Sequence, residues 1–289
     1  MAIIENISDT ARWVAEYRAM ETDRPDAIFR DPYARRLSGE RGRDIVRKLP
    51  QGQATAWAMI VRTAVLDEII LSTIAREHTD LVLNLAAGLD ARPWRLPLPP
   101  ALRWVDADLP AILEYKAKTL DGERPACRYE AVAADLTDAA ARSALFERLG
   151  SEARRALVVT EGLLIYLTAG QVGDLARDLH VAGGFRWWTA DLASPRLLKM
   201  LERHWGTALH AGNAPFRFGP AEGTGFFAPF GWREVSFRSA LEEAHRLHRE
   251  MRLAWLWRLM ARLSPKKQRE EFRRMSGYML LERTATTAS

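Results

Sequence analysis

The chain has 289 residues, 48% of them hydrophobic, with 42 lysines and arginines against 37 aspartates and glutamates, six histidines and one cysteine. A chain of this length buries a large core, and with no composition break to divide it one elaborated domain is expected rather than two. The lone Cys127 excludes an internal disulfide framework and a cysteine-based zinc site, and fits a reducing compartment.

The first stretch, "MAIIENISDTARW", turns polar at Glu5 and offers no secretory apolar segment. The longest apolar runs fall short of the roughly 18 residues a membrane span needs. A soluble, cytoplasmic protein without a membrane partner is therefore expected. The formal net charge of +5 comes from arginines interleaved with acids throughout, so no nucleic-acid partner is expected either. The densest basic stretch, "SPKKQREEFRR" at 264–274, reads as a solvated helix surface.

Residues 8–77 read as helical. "SDTARWVAEYRAME" opens with Ser8 or Asp9 in capping position, and Trp13, Val14 and Tyr17 recur at helical spacing. A longer helix, "QATAWAMIVRTAVLDEIILSTIARE", carries Trp57, Ile60, Ala64, Leu66, Ile69 and Ile70 along one side and holds Arg62 within it. Strands and helices then alternate. "LVLNLA" (81–86), "LRWVDAD" (102–108), "YEAVAADL" (129–136), "RRALVVTEG" (154–162) and "RWWTADLA" (186–193) read as strands. Pro110 sits in the first turn of the helix "LPAILEYKAKTL", and a Thr168–Gln171 capping box opens another that ends at Gly183-Gly184. This alternation argues for a parallel sheet covered on both faces. Beyond it, "REVSFRS" and "SGYMLLERT" read as late strands flanking a long helix through "HREMRLAWLWRLMARL".

In such a sheet the ligand lies outside the carboxyl ends of the strands. The first four strands end in Gly88, in Asp106 and Asp108, in Asp135 and in Glu161. A dinucleotide site wants several glycines and a helix N-terminus free for a pyrophosphate. Here Ala86-Ala87-Gly88-Leu89-Asp90 supplies one glycine and then an acid, which repels phosphate. An adenosine without phosphates and with positive charge in their place fits better, and S-adenosylmethionine is such a molecule. Each acid alone also suits a helix cap or turn; it is the four strand ends together, in order, that point to a nucleoside site.

The motifs "TARWVAEYRAMETDRPDAIFRDPYA", "VRTAVLDE", "VLNLAAGLDARPWRL", "VDADLPAILEYK", "AADL" and "TEGLLIYL", with "FF" and "GW" near 226–232, resemble the leucine carboxyl methyltransferase family of class I S-adenosylmethionine-dependent methyltransferases, bacterial branch. The resemblance runs from about residue 8 to the end. It implies an α/β, Rossmann-like fold: a seven-stranded, mostly parallel sheet with helices on both faces. The expected divisions of this single domain are a helical cap (1–77), a cofactor-binding core (78–195), an acceptor-pocket insert (196–230) and the last strands and helix (231–289). It also implies S-adenosyl-L-methionine as cofactor and S-adenosyl-L-homocysteine as product, with no metal. Arg62 would reach the cofactor's carboxylate, Ala86 and Gly88 would admit its methionine part, and Asp108 with Asp106 beside it would hold the ribose. Asp135 and Leu136 would flank adenine, Glu161 would meet the amino group, and Tyr166 would face the acceptor as the catalytic side chain. The sequence departs from the family in carrying Ala86 where glycine is usual and Ala91 where threonine is usual, and no counterpart of the N-terminal lysine of the eukaryotic enzymes is assigned.

Methyl transfer from a sulfonium is an in-line displacement, and a carboxylate acceptor is already ionised at neutral pH, so no strong general base is required. Positioning alone can supply about 7–11 kcal/mol. The expected reaction is O-methylation of a small-molecule carboxylate such as a polyketide-like natural-product intermediate. A phenol, an alcohol or a protein C-terminal carboxylate are the alternative acceptors, and a non-catalytic S-adenosylmethionine or S-adenosylhomocysteine binder is the alternative of another class. His204, His210, His245 and His248 read as solvated or capping. Trp205, Phe216, Phe218, Phe226, Phe227 and Trp232 read equally as core or as the lining of an acceptor pocket. The helix "HREMRLAWLWRLMARL" is expected to pack on the sheet, the alternative being an interfacial membrane helix.

Overall fold

In the computed structural model, residues 7–49, 53–211, 215–251, 253–256, 259 and 264–285 are described, with 7, 8, 53 and 204–211 described by backbone alone. Three helices come first: α1 (Ile7–Thr22), α2 (Ala34–Lys48) and α3 (Ala56–Glu77). The alternating core follows with β1 (Leu81–Leu85), the single-turn α4 (Arg92–Arg95), β2 (Arg103–Asp108), α5 (Pro110–Thr119), β3 (Arg128–Ala133), α6 (Ala139–Glu152), β4 (Ala156–Thr160), α7 (Ala169–Val181) and β5 (Phe185–Ala193). The last part holds α8 (Pro195–Ala211), β6 (Trp232–Ser239), α9 (Ala240–Arg246), α10 (Lys266–Arg273) and β7 (Ser276–Arg283).

The strands form one seven-stranded sheet in the order β3-β2-β1-β4-β5-β7-β6. β1 to β5 run parallel, and β7 inserts antiparallel between β5 and β6. The central strands β1 and β4, "LVLNL" and "ALVVT", are buried along their whole length, as parallel strands covered on two faces must be. Leu83, Leu85, Val105 and Val158 pack on one side against Phe146 and Leu149 of α6 and Leu175 and Leu179 of α7. Val82, Trp104, Leu157 and Val159 pack on the other against Ile70 and Ile74 of α3. α5 starts at Pro110, and Thr168 and Gln171 close the capping box that opens α7. β1 and β4 are spatial neighbours, yet the chain leaves them toward opposite edges of the sheet, which opens a crevice at their carboxyl ends.

Two expectations about packing change. The aromatic residues around 216–232 are mostly core: Phe227 and Trp232 are fully buried and meet Trp188 edge-on with centroids 5.1 and 5.6 Å away, and Phe226 meets both Phe218 and Phe227 edge-on. The side chains of His204, Trp205 and His210 lie outside the described residues. The segment expected to lie on the sheet as a helix through 248–263 does not do so over its described part: Leu253, Trp255, Leu256 and Leu259 stand exposed. Trp257 and Met260 lie outside the described residues.

Candidate functional site

A cavity of about 1280 Å³ lies over the carboxyl ends of β1, β2, β4 and β5. α1 and α3 roof it with Thr10, Trp13, Tyr17, Trp57, Met59 and Arg62, while α8 and the segment after it close one side with Leu197, Met200, Leu201 and Phe216.

Its floor is the turn after β1. Ala86 and Gly88 both hold left-handed backbone, at φ 51° and 52°. The Ala86 N–H donates to the Ala107 carbonyl at 2.8 Å, which holds the start of the turn to β2. The Gly88 N–H donates to Asp108 Oδ2 at 2.6 Å, and the Leu109 N–H donates to Asp108 Oδ1 at 2.7 Å. A side chain at Gly88 would press on Ala11 of α1, 3.3 Å from the added Cβ, so the cap rests directly on this turn. Burial pushes the Asp108 carboxyl above its ordinary value, with these two N–H donors pulling the other way.

A chain of alternating charges runs beneath the cap. Asp31 accepts from Arg18 Nε at 2.8 Å and lies 3.7 Å from Arg95 Nε. Asp67 on α3 accepts both Nη atoms of Arg95 at 2.7 Å and Arg92 Nε at 2.6 Å. Arg92 Nη1 reaches Asp90 at 2.6 Å and Glu161 Oε2 at 2.8 Å. The other oxygen of Glu161 accepts from Arg62 Nε at 2.9 Å, and Arg62 Nη1 lies 3.4 Å from Asp191. Burial alone would push the Glu161 carboxyl up, but Arg92 and Arg62 hold it below its ordinary value. Arg92 in turn is raised, because Asp90, Glu161 and Asp67 outweigh its desolvation. Gly162, at φ 65°, gives Arg62 its space: a Cβ there would sit 3.1 Å from Nη1.

Of the residues singled out in the sequence, Arg62, Ala86, Gly88, Asp108, Asp135, Leu136, Glu161 and Tyr166 all line this one cavity. Asp135 is exposed at its rim, and one of its oxygens accepts from the Thr137 N–H at 2.9 Å and hydroxyl at 2.7 Å. Tyr166 stands in the one-turn 3₁₀ helix Leu164–Tyr166 with its ring 5.5 Å from that of Phe216, and burial raises its phenol. Asp106 is not brought there. It is fully buried one pleat deeper, where it accepts from Lys116 Nζ (2.5 Å), Trp104 Nε1 (2.8 Å), Tyr129 (3.0 Å) and Asn84 (3.1 Å), which leaves it no face toward the cavity.

Asp191 and Tyr278 were not singled out in the sequence. Asp191 follows the same strand-end pattern in "WWTADLA", and its Oδ1 accepts the Gly162 N–H at 2.6 Å. Tyr278 faces it across the β5–β7 ladder and also lines the cavity.

Residues 11–180 match the model of the leucine carboxyl methyltransferase family. A Streptomyces coelicolor protein, provisionally described as an S-adenosyl-L-methionine-dependent methyltransferase, is 37% identical over 168 residues, 55% of this chain. A Mycobacterium marinum protein with the same provisional description is 32% identical over 217 residues, 68% of this chain. The chain spans 59% of the first relative's length and 67% of the second's. In fold, a crystal structure of a DUF574 family protein from Streptomyces avermitilis superposes with a TM-score of 0.58 at 14% identity, covering 94% of this chain and 97% of that one.

Proposed function

The chain belongs to the leucine carboxyl methyltransferase family, and from that premise we propose that it binds S-adenosylmethionine in the cavity and methylates the carboxylate of a small molecule. The observation that carries the reading is the turn after β1, whose Gly88 N–H is already taken by Asp108, so that the crevice offers carboxylates where a nucleotide site offers free N–H donors.

The residues present fit that cofactor. Asp108 holds two N–H groups and keeps lone pairs for the ribose hydroxyls. Leu109, Ile112 and Leu136 supply an apolar slot for adenine, with Asp135 at its rim. Glu161 and Asp191 would receive the ammonium, and Arg62 the carboxylate, from their places in the lining. Asp106 takes no part in contact; through Asn84 and Lys116 it stiffens the strand end that presents Asp108. When bound, the sulfonium supplies an electrophilic methyl group.

The acceptor class follows from what could take a proton. Among the described residues, the cavity wall holds no histidine, lysine or cysteine. Glu161, Asp90 and Asp191 are ion-paired, Asp108 is held by two N–H donors on the ribose side and Asp135 by Thr137 at the rim, and the phenols of Tyr17, Tyr166 and Tyr278 are raised by burial, so they donate hydrogen bonds rather than accept protons. Such a wall serves an acceptor that arrives ionised, with Tyr166 as the donor that aims it. Trp13, Val14, Trp57, Met59, Met200 and Phe216 give the wall an apolar side, which excludes water and suits a greasy or flat acid. The cavity exceeds the roughly 300–1,000 Å³ of a single ligand site, leaving room for an acceptor beside the cofactor.

Calorimetry with S-adenosylmethionine tests the cofactor. Asp135→Ala and Glu161→Gln should each weaken binding about tenfold or more, the loss of one hydrogen bond to a charged group. Undiminished affinity in both would put the site elsewhere. For the acceptor, methyl-labelled cofactor incubated with extract of the producing cells should give a labelled product that mild alkali cleaves; an alkali-stable product means an ether and refutes the carboxylate.

A further inference from the structure

Beside the cavity the chain changes character. Arg249 is buried and anchored, with its guanidinium on Glu21 at 2.8 Å, and Met251 lines the cavity. From there Leu253, Trp255, Leu256 and Leu259 are 61, 59, 40 and 48% exposed. Four large apolar side chains exposed within seven residues are a concentration that a soluble monomer rarely carries without a use.

The charge around the patch says what covers it. Residues 252–269, "RLAWLWRLMARLSPKKQR", contain six basic residues and no acidic one, whereas the rest of the chain holds 36 basic against 37 acidic. The arginines flanking the stretch are committed to internal acids: Arg246 to Glu243 and Glu68, Arg249 to Glu21, Arg273 to Glu242, Arg274 to Glu234. Lys266, Lys267 and Arg269 on α10 are exposed and make no ion pair among the described residues, and α10 buries none of its side chains. Tryptophan and leucine interleaved with cations and free of acids is the composition that settles at the boundary between acyl chains and anionic headgroups.

We infer that this surface docks on an anionic lipid bilayer and turns the Met251 side of the cavity toward it. A second copy of the chain is a poorer occupant. An isologous dimer would set the two cationic stretches against each other, and the rest of the molecule is too near neutrality to complement them.

The test is sedimentation of the full chain with sucrose-loaded vesicles, of phosphatidylcholine alone or with about one-third phosphatidylglycerol, at low and high salt. Binding is expected to the anionic vesicles only and to weaken with salt. Lys266→Glu/Lys267→Glu/Arg269→Glu should lower the partition coefficient about a hundredfold or more. Leu253→Ser/Trp255→Ser/Leu256→Ser should abolish binding while leaving the melting temperature and S-adenosylmethionine affinity unchanged, since none of the three lines the cavity. No binding to anionic vesicles, or binding that neither variant reduces, overturns the inference. So does a concentration-dependent dimer that the apolar variant dissolves, and so does retention on dextran sulfate without vesicle binding, which would mean an acidic macromolecule. None of these outcomes bears on the methyl-transfer reading, which calorimetry decides separately.

Discussion

Ala86 shows what a single side chain costs in the wrong conformation. Its φ of 51° lies in the left-handed region, where a Cβ crowds the following carbonyl and costs roughly 1–2 kcal/mol. The turn needs that geometry, because only there can the Ala86 N–H reach back to Ala107 and the Gly88 N–H reach Asp108. Glycine would adopt it without strain but would give the unfolded chain more freedom, about 0.4–1 kcal/mol in the opposite sense. Ala86→Gly should therefore stabilise the protein by about 0.5–1 kcal/mol, visible as a melting temperature raised by about 1–4 °C, with cofactor affinity unchanged. A lower melting temperature would mean that the methyl group is packed against something that matters more than the strain. The same strand end shows how far reading strand ends reaches. Asp106 and Asp108 share one face of β2, and their place at its end, with the family resemblance, points both at the ligand. Depth separates them: Asp106 sits beneath Lys116 and Tyr129, and only Asp108 emerges at the rim.

At the scale of elements, the single turn α4 is a clamp. Arg92 and Arg95 are three residues apart, so both guanidiniums leave the same face and close on Asp67 of α3. Arg92 and Asp67 are buried, as is the side chain of Arg95, and Asp67 does not line the cavity. Removing its charge leaves two buried cations under-compensated, a change that typically costs about 3–5 kcal/mol. Asp67→Asn should lower stability by about 3 kcal/mol in urea titration. It should also weaken S-adenosylmethionine binding although Asp67 never touches it, because Arg92 also holds Glu161. Full cofactor affinity in a destabilised Asp67→Asn protein would show that the clamp serves folding alone. The spacing of these residues was legible in "GLDARPWRL", as were β1, β2, β4 and β5 to within two residues at either end and β3 to within three, the box before α7 and Pro110 at the start of α5. The clamp's partner was not, because nothing local in "VRTAVLDE" marks Asp67 as the acid that two distant arginines will share. Asp191 differs: it stands near the carboxyl end of β5 as the other acids stand on their strands, so the strand-end pattern does reach it. The β7 insertion between β5 and β6 is invisible to periodicity, which reads strands but not their neighbours.

Over the whole molecule, the chain of charges from Arg18 to Asp191 ties the cap to the sheet through the ligand site, so acid should act on stability and on the site together. Glu161 and Asp90 sit below their ordinary values of 4.5 and 3.8, Asp90 well below. In each, burial works toward protonation and is overcome by arginine, chiefly Arg92. A carboxyl depressed in the folded state stabilises it at every pH above the unfolded value, and that contribution disappears as pH falls through the folded value. Asp108 is shifted the other way, so its protonation on acidification relieves a strain and offsets a small part of the loss. The urea midpoint should thus be nearly level from about pH 8 to pH 5 and fall steeply below about pH 4. Salt near 0.5 M should not restore it, since screening reaches exposed pairs far more than buried ones. Hydrogen exchange at pH 4 should show α1, α3 and the turn after β1 losing protection together, ahead of β1 and β4. Loss of the cap at a higher pH than the turn would mean that the charges bind each element separately and do not join them.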